Sequence, residues 1–275
     1  MAFGRLITVI SGPSGGTGTS ISDCRISFDI EKSIGKTPNK SNVMIYNLSD
    51  TTMASMGKRM NKLIIKAGYK DENSLSTIFY GDINKSEISK EPPDTILKIE
   101  AMDGWKSLQQ AIINKSYAAG TSISTVVNDI VSEMGFVIGG TKPNISGSYA
   151  PGYVASGKCG HVLSKVLNKV GYTWSIQNDQ IYIFEEGGSA KTFELSLASD
   201  TGLLSISKLE HDAKLTKSAK SYYTIRTLLF PQIIPGAQVY IKSSLATGNM
   251  IVQNVTMSGD SYEGDFIVEA EVKAA

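Results

Sequence analysis

Residues 42–83 read NVMIYNLSDTTMASMGKRMNKLIIKAGYKDENSLSTIFYGDI, and the reading of this stretch decides the fold. It holds three apolar strand candidates, Val43 to Leu48, Leu63 to Ala67 and Thr77 to Tyr80. Between the first two, Ser49 stands where a helix N-cap would, and Met53, Met56 and Met60 follow at helical spacing, so one side of the segment can lie on a sheet. Methionine fills irregular gaps in cores, so the stripe reads as packing and not as a ligand set. Gly68 and the pair Gly81-Asp82 are turn chemistry and are expected to close the second and third strands. The unit is strand, helix, strand, turn, strand.

Working outward, Leu6 to Ile10 forms a first strand, and the glycine-rich residues 11–20 form a hairpin or an exposed loop that can touch a neighbouring subunit. A phosphate-binding loop would need a lysine after its last glycine, and Gly18 is followed by Thr19. From Cys24 to Ile30 the apolar Ile26, Phe28 and Ile30 alternate with Arg25, Ser27 and Asp29, the period of a half-buried sheet. Glu91-Pro92-Pro93-Asp94 is a rigid turn, and Leu97, Ile99 and Ala101 alternate beyond it. These strands suffice for a small barrel or sandwich over residues 1–104.

Residues 105–190 change character. Thr121 to Phe136 and Gly157 to Tyr172 align without gaps, setting Ile123 with Cys159, Val126 with Val162, Val127 with Leu163, Ile130 with Val166 and Val131 with Leu167. Each half is an amphipathic helix stopped by a glycine and followed by an apolar strand. Tyr117 to Gly187 therefore reads as an α/β insert of two related halves. Trp174, Ile176, Ile181, Ile183 and Phe184 flank Gln177-Asn178-Asp179-Gln180 and give a hairpin with a polar tip. His161 has no nucleophile or carboxylate beside it in the sequence and reads as a surface or satisfied histidine. From Phe193 onward, in residues 191–275, short strands return between turn residues such as Pro235-Gly236, Gly248 and Ser258-Gly259-Asp260.

The totals narrow the function. With 275 residues, 41% hydrophobic and 19% charged, the chain is globular and long enough for two or three units. A net charge of +1 argues against a protein that grips nucleic acid through its phosphates. Cys24 and Cys159 are too few and too far apart for a zinc site or a disulfide framework and read as buried thiols. No segment has the length of a membrane-spanning helix, and Leu6 to Ile10 is too short for a signal-peptide core.

Three pieces of the opening stretch, V-x-I-x-N-L-S from Val43, I-x-A-G-Y from Ile65 and F-x-G-D-I from Phe79, occur in an order that resembles the first domain of bacteriophage baseplate hub proteins. The run LLFPQIIPGAQVYIKS from Leu228, followed by MIVQNVTMSGD from Met250, resembles the last domain of the same family. The resemblance implies a mainly β chain, with two tail-tube-like β-barrel domains flanking a small α/β insert. It implies a structural protein and no enzyme: three chains present six barrels, forming a ring that adapts a sixfold tail tube to a threefold central spike and lets DNA pass on ejection. The partners it implies are further copies in a homotrimer, the tail tube protein, the central spike protein, the tape measure protein and other baseplate proteins. The location it implies is the tail baseplate of a virion assembled in the host cytoplasm. No catalytic residue, cofactor or metal site is expected, nor sequence-specific nucleic-acid binding.

Ring formation would cover strand edges that otherwise invite aggregation. Such edges are expected within Lys62 to Ala67 and Gln238 to Lys242, at Lys62, Ile64, Lys66, Gln238, Tyr240 and Lys242. With nothing after the second β region, the spike and any cell-wall hydrolase are expected as separate chains. Two other readings stay open: a tail-tip hub of a non-contractile phage or type VI-like injection particle, and a peptidoglycan-binding or cleaving envelope protein. The latter rests on Trp105, Trp174 and the acidic residues Asp103, Glu185 and Glu186.

Overall fold

A computed structural model describes residues 4–34, 37–70, 75–140, 143–185, 188–189, 191–209 and 221–275. The first β region contains β1 (Arg5–Gly12), β2 (Thr19–Ile21), β3 (Ile26–Ser33), β4 (Lys40–Tyr46), α1 (Asp50–Met56), β5 (Lys62–Tyr69), β6 (Ser76–Glu91) and β7 (Asp94–Met102). The insert contains α2 (Trp105–Gln110), β8 (Ile112–Tyr117), β9 (Thr121–Ser122), α3 (Ile123–Glu133), β10 (Val137–Ile138), β11 (Ser148–Tyr149), β12 (Tyr153–Lys158), α4 (Cys159–Asn168), β13 (Tyr172–Gln177) and β14 (Gln180–Glu185). The second β region contains β15 (Lys191–Leu197), β16 (Leu203–Leu209), β17 (Tyr222–Leu228), β18 (Ala237–Lys242), β19 (Thr247–Asp260) and β20 (Phe266–Ala274). The fold is mainly β with large antiparallel sheets and an α/β insert, as expected.

The two β regions share one sheet. Its order is β16-β17-β20-β19-β3-β4-β7-β6-β5-β1-β2, with β18 and β15 branching from β19. The 14-residue strand β19 makes this possible. Its first part pairs with β18, from Thr247 to Ile251, and its last part pairs with β3, from Asn254 to Asp260, while β20 runs along its other side. Buried side chains of both regions, among them Ile30, Ile65 and Phe79 from the first and Val239, Met257 and Val268 from the second, form one apolar core. Tyr69, the last residue of the I-x-A-G-Y motif, ties them further. Its hydroxyl accepts from Leu229 N at 3.0 Å and donates to Phe266 O at 3.3 Å, and its ring packs edge-on against Phe266. The insert keeps a second core, built on α3, α4, β13 and β14.

The predicted helix after Ser49 forms, with the serine hydroxyl accepting from Thr52 N at 3.3 Å. Met53 and Met56 are buried, but the helix ends there; Met60 lies beyond it at positive φ and is exposed. The stripe is therefore two residues, not three. Gly81-Asp82 closes no strand: β6 runs through it to Glu91. A Cβ on Gly81 would stand 2.7 Å from the Met102 carbonyl oxygen, so this glycine serves close packing inside a sheet. Gly259 is the same case, since β19 runs through Ser258-Gly259-Asp260 and a Cβ there would strike the Phe28 ring at 2.6 Å. Gly248 too lies within β19.

The insert follows the predicted repeat. Every aligned apolar position of α3 and α4, from Ile123 and Cys159 to Val131 and Leu167, is buried, and the two helices pack on each other. Gly135 and Gly171 follow their helices at φ 77° and 76°. The predicted hairpin joins β13 to β14 through Asn178 and Asp179, both at positive φ, as a two-residue turn requires.

Candidate assembly surfaces and the buried polar seam

The polar tip of the β13–β14 hairpin plugs into the first β region. Asp103, fully buried at the end of β7, accepts from the backbone N–H groups of Asn178 at 2.7 Å and Asp179 at 3.3 Å. Lys32 Nζ donates to Asn178 Oδ1 at 2.8 Å. Asn39 Nδ2 donates to Ile176 O and to Gln177 Oε1, while Gln177 Nε2 donates to Ser33 O. At the rim, Lys62 Nζ lies 2.9 Å from Asp82 Oδ1 and 3.6 Å from Asp179 Oδ1, and Asp82 Oδ2 accepts from Lys106 N, at the start of α2.

Burial sets the electrostatics here. It pushes Asp103 up to about 6, against the opposing pull of Lys32 and the two backbone donors. It drives Lys32 down to about 8, with the Asp103 charge opposing. Asp179 is also raised, first by burial. Between these two values both Asp103 and Lys32 are charged, each supplying part of the field that holds the other.

The edge argument for Lys62, Ile64 and Lys66 does not hold within the chain. β5 is hydrogen-bonded to β1 on one side and to β6 on the other, and Lys62 is spent on the seam. Gln238, Tyr240 and Lys242 lie on β18, which has β15 and β19 as neighbours, although Tyr240 and Lys242 expose their side chains. The ends of the joined sheet are elsewhere. Among the described residues β2 pairs only with β1, β16 only with β17 and β15, at the end of the branch, only with β18; β16 displays Leu204 at 53% exposure. Chain order carries no signal for this, because which strand ends a sheet depends on pairings between distant segments.

Trp105, Trp174 and His161, scattered in sequence, line one groove between α2 and α4. Of the carboxylates invoked beside the tryptophans, Asp103 and Glu185 are not among its lining residues. Asp103 is committed to the hairpin tip, and Glu185 lies 3.5 Å from the Tyr172 hydroxyl. Glu186 lies outside the described residues. Cys24 is half-buried, and burial raises the Cys159 thiol. Among the described residues no cluster of three or more His, Cys, Asp or Glu is placed to hold a metal ion, and no helix is long and apolar enough to cross a membrane.

A family model described as baseplate hub gp41 matches residues 15–271. The chain belongs to that family. Solved structures share the hub fold at low identity. The 43 kDa tail protein of prophage MuSo2 from Shewanella oneidensis superposes with a TM-score of 0.66 at 9% identity, covering 98% of each chain. The tail protein from Neisseria meningitidis MC58 gives 0.67 at 10%, over 98% of this chain and 97% of that one. An Escherichia coli component of the type VI secretion system gives 0.61 at 11%, over 90% and 73%. A search of curated proteins finds no match.

Proposed function

We propose that this hub closes as a homotrimeric ring, seats on the tail tube and offers threefold symmetry to a central spike. The observation that carries this reading is the single sheet joining two β regions through β3 and β19. It makes each chain a rigid pair of β units, so three chains supply six. Two of its edge strands, β2 and β16 at the ends of the long path, are low-charge edges that a neighbouring copy would cover head to tail, and rings are the closed outcome of such contacts.

DNA would pass along the solvent face of the joined sheet. Across β17, β20, β19, β3 and β4 one row reads Arg226, Glu269, Thr256, Glu31, Lys40, and a second includes Ser258, Asp29 and Asn42. A wall of mixed charge with acidic residues prominent gives phosphates little to hold. The tape measure protein and other baseplate proteins complete the expected partners, and the role is one of assembly and not of catalysis. The likeness to a type VI component makes an injection particle a second setting for the same ring.

The native mass of the purified protein, alone and with the tube and spike proteins of the same particle, tests the ring. A trimer is expected, and Leu204→Lys, which places a charge on the β16 edge, should return it to folded monomers. A wild-type chain that stays monomeric with every tail partner would overturn the proposal.

A further inference from the structure

The groove between α2 and α4 is not used by the ring argument. It encloses about 420 Å³, and its floor is apolar: the buried face of Trp174, the half-exposed Trp105 and Leu108. Its rim carries Lys158, His161 and Lys165, all exposed and spaced three and four residues apart along one face of α4. Among the described residues no aspartate or glutamate lines it. The related helix α3 differs at this end. Ser122 caps α3 by accepting from Thr125 N at 3.1 Å, whereas α4 has Lys158 at its N-cap and no side-chain cap; neither helix has an acidic residue in its first turn. The Lys158 ammonium at this end opposes the helix dipole, a placement that an incoming carboxylate would relieve.

We propose that this groove docks a segment of another protein chain in which an aromatic or aliphatic side chain is flanked by carboxylates. The apolar side chain would cover the tryptophans while the carboxylates meet the lysines and the open turn of α4. The space suits one or two side chains. The occupant is argued from charge: the two lysines favour a carboxylate over a neutral sugar, and two lysines in a chain of net charge +1 make no continuous track for a nucleic-acid backbone. Proteins in contact across an apolar centre with a charged rim use this arrangement.

The chain has two tryptophans and both line the groove, so intrinsic fluorescence reads its occupancy directly. The probe is an acetylated heptapeptide alternating phenylalanine and aspartate, compared on the full chain with versions carrying asparagine or lysine in place of aspartate. We expect a saturable emission change with the aspartate peptide, weaker by about tenfold with asparagine and absent with lysine. The double variant K158E/K165E should lose the aspartate peptide and gain the lysine peptide, a gain that a misfolded protein would not show. Equal response to the aspartate and lysine peptides, or none to any peptide, overturns the proposal. So does a saturating response to chitotriose or oligothymidine in place of the peptides, or a doubling of native mass that K158E/K165E abolishes, which would assign the groove to a second copy. None of these readouts depends on whether the chain forms a trimer.

Discussion

Where β3 meets β19, the β regions are held by seven antiparallel residue pairs, from Asn254 with Ser33 to Asp260 with Ser27, and the side chains of Ile30 and Met257 are buried in a common core. Where the insert meets the sheet, Tyr182 and Phe184 of β14 add to the common core, and the rest of the contact is made by Asp103, Lys32, Asn39 and Gln177, polar groups that satisfy one another out of water. The first joint combines a backbone ladder with apolar area removed from water, neither of which depends on a side-chain charge. The second depends on geometry and charge state, because each buried polar group costs free energy unless its partner is in place. The β regions are thus built to move as one, and the insert is seated by a contact whose strength varies with pH.

The sharpest way to break the first joint is Ile30→Asp. Ile30 is wholly buried and paired in register with Met257, so an unpaired carboxylate there should cost more than about 4 kcal/mol. Hydrogen exchange should show protection lost from residues 4–102 and 221–275 together. Protection retained in the second region alone would mean two independent units and would refute the shared core.

The second joint is tested by Asp103→Ala. Removing the carboxylate strands two backbone donors and leaves Lys32 without the charge that supports it, a loss of about 3–5 kcal/mol in chemical denaturation. Asp103→Asn, which keeps one acceptor, should lose less. Equal loss from both would show that charge and not hydrogen bonding holds the tip.

Much of this could be read from the chain, and the failures share a cause. The cap at Ser49, the hairpin with its polar tip at residues 177–180 and the apolar spacing of each insert helix are each encoded within a few residues, so local pattern suffices. Gly81 and Gly259 were misread as turns because a glycine that admits a neighbouring backbone or ring looks identical to one that allows a bend. The pairing of β3 with β19 joins residues more than two hundred positions apart, and nothing local announces it. For the seam a signal was present. Lys32 continues the Ile26, Phe28, Ile30 alternation onto the buried face, and a lysine in that register calls for a buried partner. The groove was beyond reach, since Trp105, His161 and Trp174 meet only through the packing of α2, α4 and β13.

The smallest expected effect is the most specific to the seam. Folded Lys32 releases its proton at about 8, whereas the unfolded side chain holds it to its ordinary 10.5. Across that window the unfolded state binds more protons, so stability rises with pH. Asp103 works in the opposite sense in a separate window. Its folded carboxyl keeps a proton up to about 6 against an ordinary 3.8, so stability falls as pH rises between those values. From about 6 to 8 both groups are charged and both slopes vanish. Lys32→Met removes the alkaline slope and, by taking away the charge that holds Asp103 down, carries the acidic slope to higher pH. Comparing the two proteins by urea denaturation at pH 8 and pH 10, wild type should gain about 2 kcal/mol relative to the variant. A constant difference would mean that Lys32 keeps an ordinary pKa, which its burial could not allow unless water reached the seam.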